Sequence, residues 1–415
     1  MQAIAPVTDE QFCETKPTTH LLSIRSQKLQ EASDPVQRCE PLKGTCLEVS
    51  ISRRVSKTRL CDACIKSPRP VKTVAIIIPS LHRPDLTARC IGSVQRQTLP
   101  AQRWKIVVVE NEARLETILP DPLPQNTMRI ELPRNEGTTN SINRGMAAVS
   151  SRYVLLLNND VELAPDYLEK LIEPLEEDER LGFATGKLLR ASDHALLDGA
   201  GDGMLLAGAS YRLGHLDPDE QQFDERRPLL SACGAAVLYR SKAFLLSGAL
   251  DADFFAYVDD LDLALRSHLV GYRGVYVPDA IAYHLGSATL GQPLHPRVVE
   301  LITRNQLFVL MKDYPAGVFR RLLPRIAFYQ LLWCFLAVKN AGPGAYLRGF
   351  RGALRGRKRM RQKNRDLMTK RKINDDQLLD LMQMSERQIF DWHRSRPVGE
   401  RSSLLSTYFR FFPPR

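Results

Sequence analysis

The sequence predicts an α/β fold: a mostly parallel sheet with helices on both faces. Three observations carry this expectation. Apolar runs of strand length alternate with amphipathic segments of helix length from residue 71 onward. Polar or acidic residues close those runs, at Pro79-Ser80, Glu110-Asn111 and Asn158-Asn159-Asp160. A polar, weakly periodic stretch precedes this pattern and a basic one follows it.

At 415 residues the chain is too long for one compact core. Three parts are expected: a partly disordered extension at 1–70, a domain at 71–315, and a helical, basic region at 316–415. A hydrophobic content of 44% argues against global disorder. The net charge is +11, yet residues 320–372 hold 16 Lys or Arg against one acid, Asp366. The basic character therefore belongs to the tail, as does any anionic partner it serves.

The run at 73–78 is a buried strand, and 84–97 a helix with Leu86, Cys90, Ile91 and Val94 on one face. A second strand is expected at 105–109 and a short third at 129–132. A helix at 139–149 aligns Ile142, Met146 and Val149; a fourth strand at 153–157 and a helix at 165–175 follow. Between 182 and 230 the pattern weakens. Gly199, Gly201, Gly203 and Gly208 sit near Asp198 and Asp202, which suggests loops and short strands over a site. A strand at 235–239, a short helix at 242–246, an amphipathic helix at 260–270 closed by Gly271, and a last strand at 274–277 complete the domain.

Ligands of such sheets bind at the carboxyl ends of the strands, where Ser80, Glu110 and Asn158 to Asp160 fall. A second acidic cluster, Asp259-Asp260-Leu261-Asp262, lies 100 residues after the first, and His284 follows it. An aspartate ending a buried strand is poorly solvated unless it binds something. The set suggests a divalent cation, a phosphate-bearing ligand and a general base. Taken singly, Asp160 also reads as a turn cap, His284 as a core histidine, and Asp259-Asp260 as acids suited to a helix N-terminus. Asp262 and Arg266, at i and i+4, read as a helix-surface pair.

Of the eight cysteines, Cys90, Cys233 and Cys334 stand in apolar contexts and read as buried small hydrophobes. Cys39, Cys46, Cys61 and Cys64 either hold zinc, although the first pair is spaced more widely than usual, or are free thiols on a flexible arm. The start MQAIAPVTDEQF shows no secretory signal, and a reducing cytoplasm is the simplest compartment. No run reaches the roughly 18 apolar residues of a membrane span. The longest, 326–338, is interrupted by Gln330.

The chain resembles the family 2 inverting glycosyltransferases of the GT-A fold, most of all the bacterial rhamnosyltransferase type, over about 72–315. The carrying segments include Val74-Ala75-Ile76-Ile77-Ile78-Pro79, Val107-Val108-Val109-Glu110-Asn111, Asn135-Glu136-Gly137 and Asn143-Arg144-Gly145. Leu155-Leu156-Leu157-Asn158-Asn159-Asp160, the stretch 254–266, His284 and Arg304-Asn305 complete the ordered set.

The resemblance implies a nucleotide-sugar donor and a glycan or lipid-linked acceptor. Asn158, Asn159 and Asp160 fill the family's DxD position, with Asp160 and His284 as ligands of Mn²⁺ or Mg²⁺. Asp260 matches the general base, with Asp259, Asp262 and Gly234 on the acceptor side or supporting it. Pro79, Ser80, Arg83, Glu110, Asn111, Asn135, Gly137 and Asn143 join Asn158 and Asn159 on the donor side. Glu110 stands where the family carries an aspartate that meets the nucleotide base, and Ile142 where many members carry an arginine.

The tail, with Phe328, Tyr329, Leu331, Leu332, Trp333, Phe335 and Leu336 before its basic run, reads as a membrane-surface element. A packed helix followed by a solvated charged one is the other reading. The expected place is cytoplasmic, peripheral at the inner face of the plasma membrane. A nucleic-acid partner leaves the acidic site unexplained. A metal-dependent nucleotidyltransferase would call for a glycine-rich phosphate loop that 80–84 lacks. An inactive nucleotide-sugar-binding module on the same fold is the remaining alternative.

Overall fold

The computed structural model describes residues 72–114, 118–286 and 294–414. They belong to one compact unit, Ser67–Arg415. The expected extension at 1–70, with its four cysteines and their zinc alternative, lies outside the described residues.

The domain begins as alternation requires: β1 (Lys72–Ser80), α1 (Pro84–Gln95), β2 (Trp104–Glu110), β3 (Thr127–Glu131), α2 (Gly137–Ala147) and β4 (Ser151–Leu157). After β5 (Val161–Leu163) and α3 (Tyr167–Glu177) come β6 (Leu181–Arg190) and β7 (Asp193–Gly199). Two short strands, β8 (Asp202–Met204) and β9 (Ser210–Arg212), form a separate hairpin. β10 (Arg227–Leu229), β11 (Ala236–Arg240), α4 (Ser241–Leu246), α5 (Asp259–Leu269) and β12 (Arg273–His284) finish the sheet and its cover.

The sheet has ten strands in the order β10-β12-β6-β11-β4-β1-β2-β3, with β5 on β12 and β7 on β6. β1, β2, β3, β4, β6 and β12 share one direction, and β11 runs against both its neighbours. Successive strand side chains face opposite sides, so the apolar runs bury both. Val74, Ile76 and Ile78 pack with Cys90 and Val94 of α1 and Leu171 and Leu175 of α3. Ala75 and Ile77 pack on the other face with Ile142 of α2, Phe244 of α4 and Leu263 of α5. The mostly parallel sheet with helices on both faces is present.

Two strands depart from the expectation. The stretch expected to hold loops contains β6, ten residues long and paired to β11, β12 and β7. Its apolar pattern is broken by Gly182 and Gly186, which are there for space. A Cβ on Gly186 would overlap the Ala280 carbonyl and come 2.8 Å from the Tyr167 ring. β12 runs on past the expected 274–277 to His284, with a register shift between Val277 and Ile281 around Pro278.

The C-terminal region is helical: α6 (Pro296–Lys312), α7 (Ala316–Met368), α8 (Asp375–Ser395) and α9 (Ser403–Phe411). α7 kinks at Gly342 (φ 78°), just before Pro343. One stripe of α7, Val318, Leu322, Ile326, Tyr329 and Trp333, is buried at helical spacing. Cys334, expected to be buried, is only half so. Averaged over 18 residues, α7 reaches a mean hydropathy of 1.3, long and apolar enough to cross a membrane by length and composition. Counting consecutive apolar residues misses this, because isolated polar residues interrupt the run. α8 grips the β8–β9 hairpin: Met204 N donates to Ser385 Oγ (2.8 Å) and Leu206 N to Glu386 Oε1 (3.0 Å).

Gly186→Ala is expected to lower folding stability by about 3 kcal/mol, the upper end for a methyl forced into a packed core. Urea unfolding of the two proteins measures it; a midpoint within error of wild type would show that β6 and β12 separate easily here.

Candidate active site

The carboxyl ends of β1, β2 and β4 gather the first group of residues. Register pairs Ser80, which follows Pro79, with Glu110. Thr87 Oγ1 donates to Ser80 Oγ (2.9 Å), and Asn159 Nδ2 donates to Thr87 Oγ1 (3.1 Å), so the β4 end is tied to α1. Glu110 is buried and accepts from Leu119 N (3.2 Å). Asn111 Nδ2 donates to Asn135 Oδ1 (2.9 Å), which also accepts from Gly137 N (2.9 Å). Gly137 sits at φ +83°, and a Cβ there would meet the Phe255 ring at 2.6 Å. Asn143 is engaged elsewhere, with both ends of its amide on the Leu250 backbone (2.7 and 3.2 Å). Arg83 forks onto Asp85 (3.0 and 2.9 Å) in solvent. Asp85 first, and Asp160 among other charges, raises its pKa.

Asp160 follows β4, and the pairing of β5 with β12 sets His284 opposite Val161, beside it. His284 Nε2 lies 3.4 Å from Asp160 Oδ1, and its Nδ1 lies 2.7 Å from Asp198 Oδ2. Burial lowers the imidazole pKa, but the two carboxylates outweigh it and raise it to about 9. Asp198 moves down to about 2: burial opposes, and His284 and Arg212 prevail. Arg212 Nη1 donates to the same Asp198 oxygen (2.7 Å), and its Nη2 to Cys233 Sγ (2.7 Å). The arginine stem crosses Gly199, where a Cβ would lie 2.6 Å from its Cδ. Asp202, 3.8 Å from Arg212 Nε, is pushed by burial to about 7.

Asp260 belongs to the first turn of α5. Its Oδ1 accepts from Leu261 N (2.8 Å) and its Oδ2 from Gly234 N (3.2 Å). Burial raises its pKa against those hydrogen bonds; burial, with Asp260 beside it, raises Asp259 to about 7. Asp262 is not the surface partner its spacing suggested. It is fully buried, bonded to Arg266 (2.5 Å) and in contact with Lys312, which also pairs with Asp251 (2.7 Å).

The structure thus joins the two acidic clusters. From Asp160 a line of contacts runs through His284, Asp198 and Arg212 to Cys233, and Gly234, next in the chain, bonds Asp260. Asp198, Arg212 and Cys233 are absent from the sequence-derived set. The glycines around Asp198 were the only signal, and Cys233, read as a plain hydrophobe, is buried but accepts a hydrogen bond. A small cleft of about 20 Å³ touches Asn159 and Asp160, while a larger cavity of about 270 Å³, lined by Leu206, Leu322 and Arg325, shares none of these residues.

His284 holds its proton more tightly folded (about 9) than at its ordinary 6.5, so its pairing stabilises fully below pH 6.5 and is lost as pH rises through 9. Asp198 has the opposite sign: its contribution is full above pH 3.8 and lost as pH falls through about 2. From pH 6.5 to 9 the metal-free protein should lose on the order of 2–3 kcal/mol of stability relative to His284→Gln. Urea unfolding across that range tests this, and parallel curves for the two proteins would overturn it.

Residues 75–245 match the model of glycosyl transferase family 2. The N-acetylglucosaminyl-diphospho-decaprenol L-rhamnosyltransferase of Mycobacterium tuberculosis is 28% identical over 157 residues, covering 34% of this chain and 49% of that one. The O-antigen biosynthesis protein RfbC of Myxococcus xanthus is 28% identical over 55% of this chain and 19% of its own. The poly-beta-1,6-N-acetyl-D-glucosamine synthase of Staphylococcus aureus is 26% identical over 51% of this chain and 50% of its own. The chain spans about half or less of the length of these relatives. Among solved structures, GalNAc-T7 with UDP, GalNAc and Mn²⁺ superposes with a TM-score of 0.48 at 12% identity, over 72% of this chain and 58% of that one. The mannosyltransferase PcManGT of Pyrobaculum calidifontis, with GDP-Man and Mn²⁺, gives 0.44 at 13%, over 74% and 90%. Residues 75–245, the stretch that holds Asp160, Asp198, Arg212 and Gly234, are similar to glycosyl transferase family 2.

Proposed function

We propose that the chain is an inverting glycosyltransferase that moves a sugar from a nucleotide-diphosphate donor to a hydroxyl of a glycan or lipid-linked acceptor in cell-surface polysaccharide synthesis. The continuous line of contacts from Asp160 to Asp260 supports this reading, with Asp160 as the proposed cation-facing end and Asp260 as the proposed proton-accepting end. The mycobacterial relative's name, with its diphospho-decaprenol, supports a lipid-linked acceptor.

Asp260 takes the proton of the acceptor hydroxyl as that oxygen attacks the anomeric carbon from the face opposite the nucleotide, and the nucleoside diphosphate leaves. Its raised pKa, set by burial, brings it closer to working pH. The Gly234 amide fixes one of its oxygens and leaves the carboxylate able to receive the proton. Ser80, Glu110, Asn111 and Asn158 to Asn159 line the donor side.

Among the described residues no three His, Cys, Asp or Glu side chains converge on a point. Asp160 and His284, 3.4 Å apart, suit Mn²⁺ or Mg²⁺ if donor phosphates complete the sphere. The cation would neutralise charge on the departing diphosphate. His284 must shed its proton to serve, so metal binding should release one.

Screening UDP-, dTDP- and GDP-sugars for thermal stabilisation with and without Mn²⁺ tests the donor. A matching donor at 100 times its Kd adds about 2.7 kcal/mol. Asp260→Asn should keep that stabilisation while transfer falls by roughly 10² to 10⁴. No cation-dependent stabilisation by any of these sugars would remove the donor reading, and near wild-type transfer by Asp260→Asn the base.

The same reading puts α7 on the inner face of the plasma membrane. Opposite its buried stripe it exposes Leu323, Leu331, Phe335 and Val338, with Leu331 and Phe335 at 70% and 72%. A helix with one face packed on its own domain suits the headgroup layer better than a span. Its basic arm is divided. Arg348, Arg359 and Lys363 pair inward with Glu300, Asp253 and Asp251, whereas Arg351, Arg355, Arg357, Lys358 and Arg361 are exposed. Each exposed charge near an anionic surface adds about 1 kcal/mol. The full chain should sediment with anionic liposomes, less at high salt and less as Leu331→Ser/Phe335→Ser. Equal binding to neutral liposomes, or none to either, would make α7 a packing helix.

A further inference from the structure

We infer that Asn305 is a positioning residue, which holds the backbone just before α5 in the shape that aims Asp260. The inference rests on the proposed role of Asp260. It begins with a conformational oddity. Phe255, Tyr257 and Val258 have φ of 67°, 67° and 64°, and no glycine stands among them. Left-handed backbone is unfavourable for L-residues, most of all for a β-branched valine. Val258 is also the cap of α5 and offers no side-chain hydrogen bond to it. Something outside the segment must impose its shape.

Asn305 is that group. It is fully buried on α6, and its Nδ2 lies 3.0, 2.9 and 2.7 Å from the carbonyl oxygens of Phe254, Ala256 and Tyr257. An amide nitrogen has two hydrogens, so three carbonyls converge on one donor. The orientation of the amide is fixed by its other end. Asn305 Oδ1 accepts from Arg304 Nε (2.9 Å), whose Nη2 donates to Phe254 O (2.6 Å). From the opposite side, Thr139 N donates to Phe255 O (3.3 Å), and Gly137 leaves room for the Phe255 ring. The segment is clamped between α2 and α6, and α5 starts where the clamp ends. Asp260 then meets the Gly234 amide at 3.2 Å. Asn305 touches no group assigned to donor or acceptor.

The test uses the full chain with Asn305→Ala, Tyr257→Gly and the double variant. Tyr257 is 38% exposed, and glycine adopts its φ without strain. Turnover, KM and donor Kd are measured with the donor found active, together with hydrogen exchange at 255–261. Asn305→Ala should lower kcat by about a hundredfold, as a small misplacement of the base does. Donor Kd should stay within about threefold, and exchange should quicken only at 255–261. Adding Tyr257→Gly should recover at least about tenfold of kcat, because it removes strain the amide no longer holds. Unchanged kcat, equal loss of kcat and donor affinity, or no recovery in the double variant overturns the inference. If Asn305→Ala does not fold, Asn305→Gln, which displaces the same donor by one methylene, is read in the same way. If the wild-type chain transfers no sugar, the function fails alone, and exchange at 255–261 still decides whether Asn305 holds the segment.

Discussion

The contact on which the rest of the site depends is the pairing of Arg212 with Asp198. Asp198 is almost wholly buried, and an unpaired carboxylate there would be strongly destabilising. Arg212 and His284 both meet its Oδ2, so one oxygen fixes an imidazole on one side and a guanidinium on the other. Through the imidazole the pair reaches Asp160, and through the guanidinium it reaches Cys233 and so the backbone that meets Asp260. Losing Asp198 would leave Arg212 and the protonated His284 without the carboxylate they share, and breaking such a buried pair typically costs about 3–5 kcal/mol.

That pairing depends in turn on elements far away in sequence. Arg212 ends a hairpin too short to be stable alone, and α8 holds the hairpin through Ser385 and Glu386. Glu386 is itself held by Arg325 of α7 (2.7 Å) and Tyr408 of α9 (2.7 Å). The inward-facing part of the basic arm acts at the other end, where Lys363 and Arg359 tie Asp251 and Asp253 ahead of α5. The tail therefore braces both ends of the site, whatever its outer face meets.

Much of this could be read from the chain. β1, β2 and β4 announced themselves because both of their faces are buried, which makes their apolar runs continuous. Asp160 and Asp260 could be singled out because each stands at the end of an element in an ordered set of motifs. Asp198 and Arg212 could not be read, since their partners lie 14 to 86 residues away and the hairpin between them has no period. β6 was hidden by glycines that serve a neighbouring carbonyl and ring. Spacing showed that Asp262 and Arg266 would meet but said nothing about which face of α5 carries them, and that face is buried.

The reversal of β11 has a consequence for distance. Because β11 runs against β4, its first residues stand beside the last of β4: Ala236 is in register with Leu157, and Asn158 N donates to Ala235 O at 2.8 Å. Everything between them, including α3, β6 and the hairpin, is one long detour that leaves a rim of the sheet and returns to the same point on it. Had β11 run parallel, its start would lie at the far edge, about 17 Å away for a five-residue strand. Gly234 would then be out of reach of Asp160's neighbourhood. A single strand laid backwards turns separation along the chain into adjacency, and sets Gly234, which bonds Asp260, next in the chain to the carbonyl that Asn158 meets.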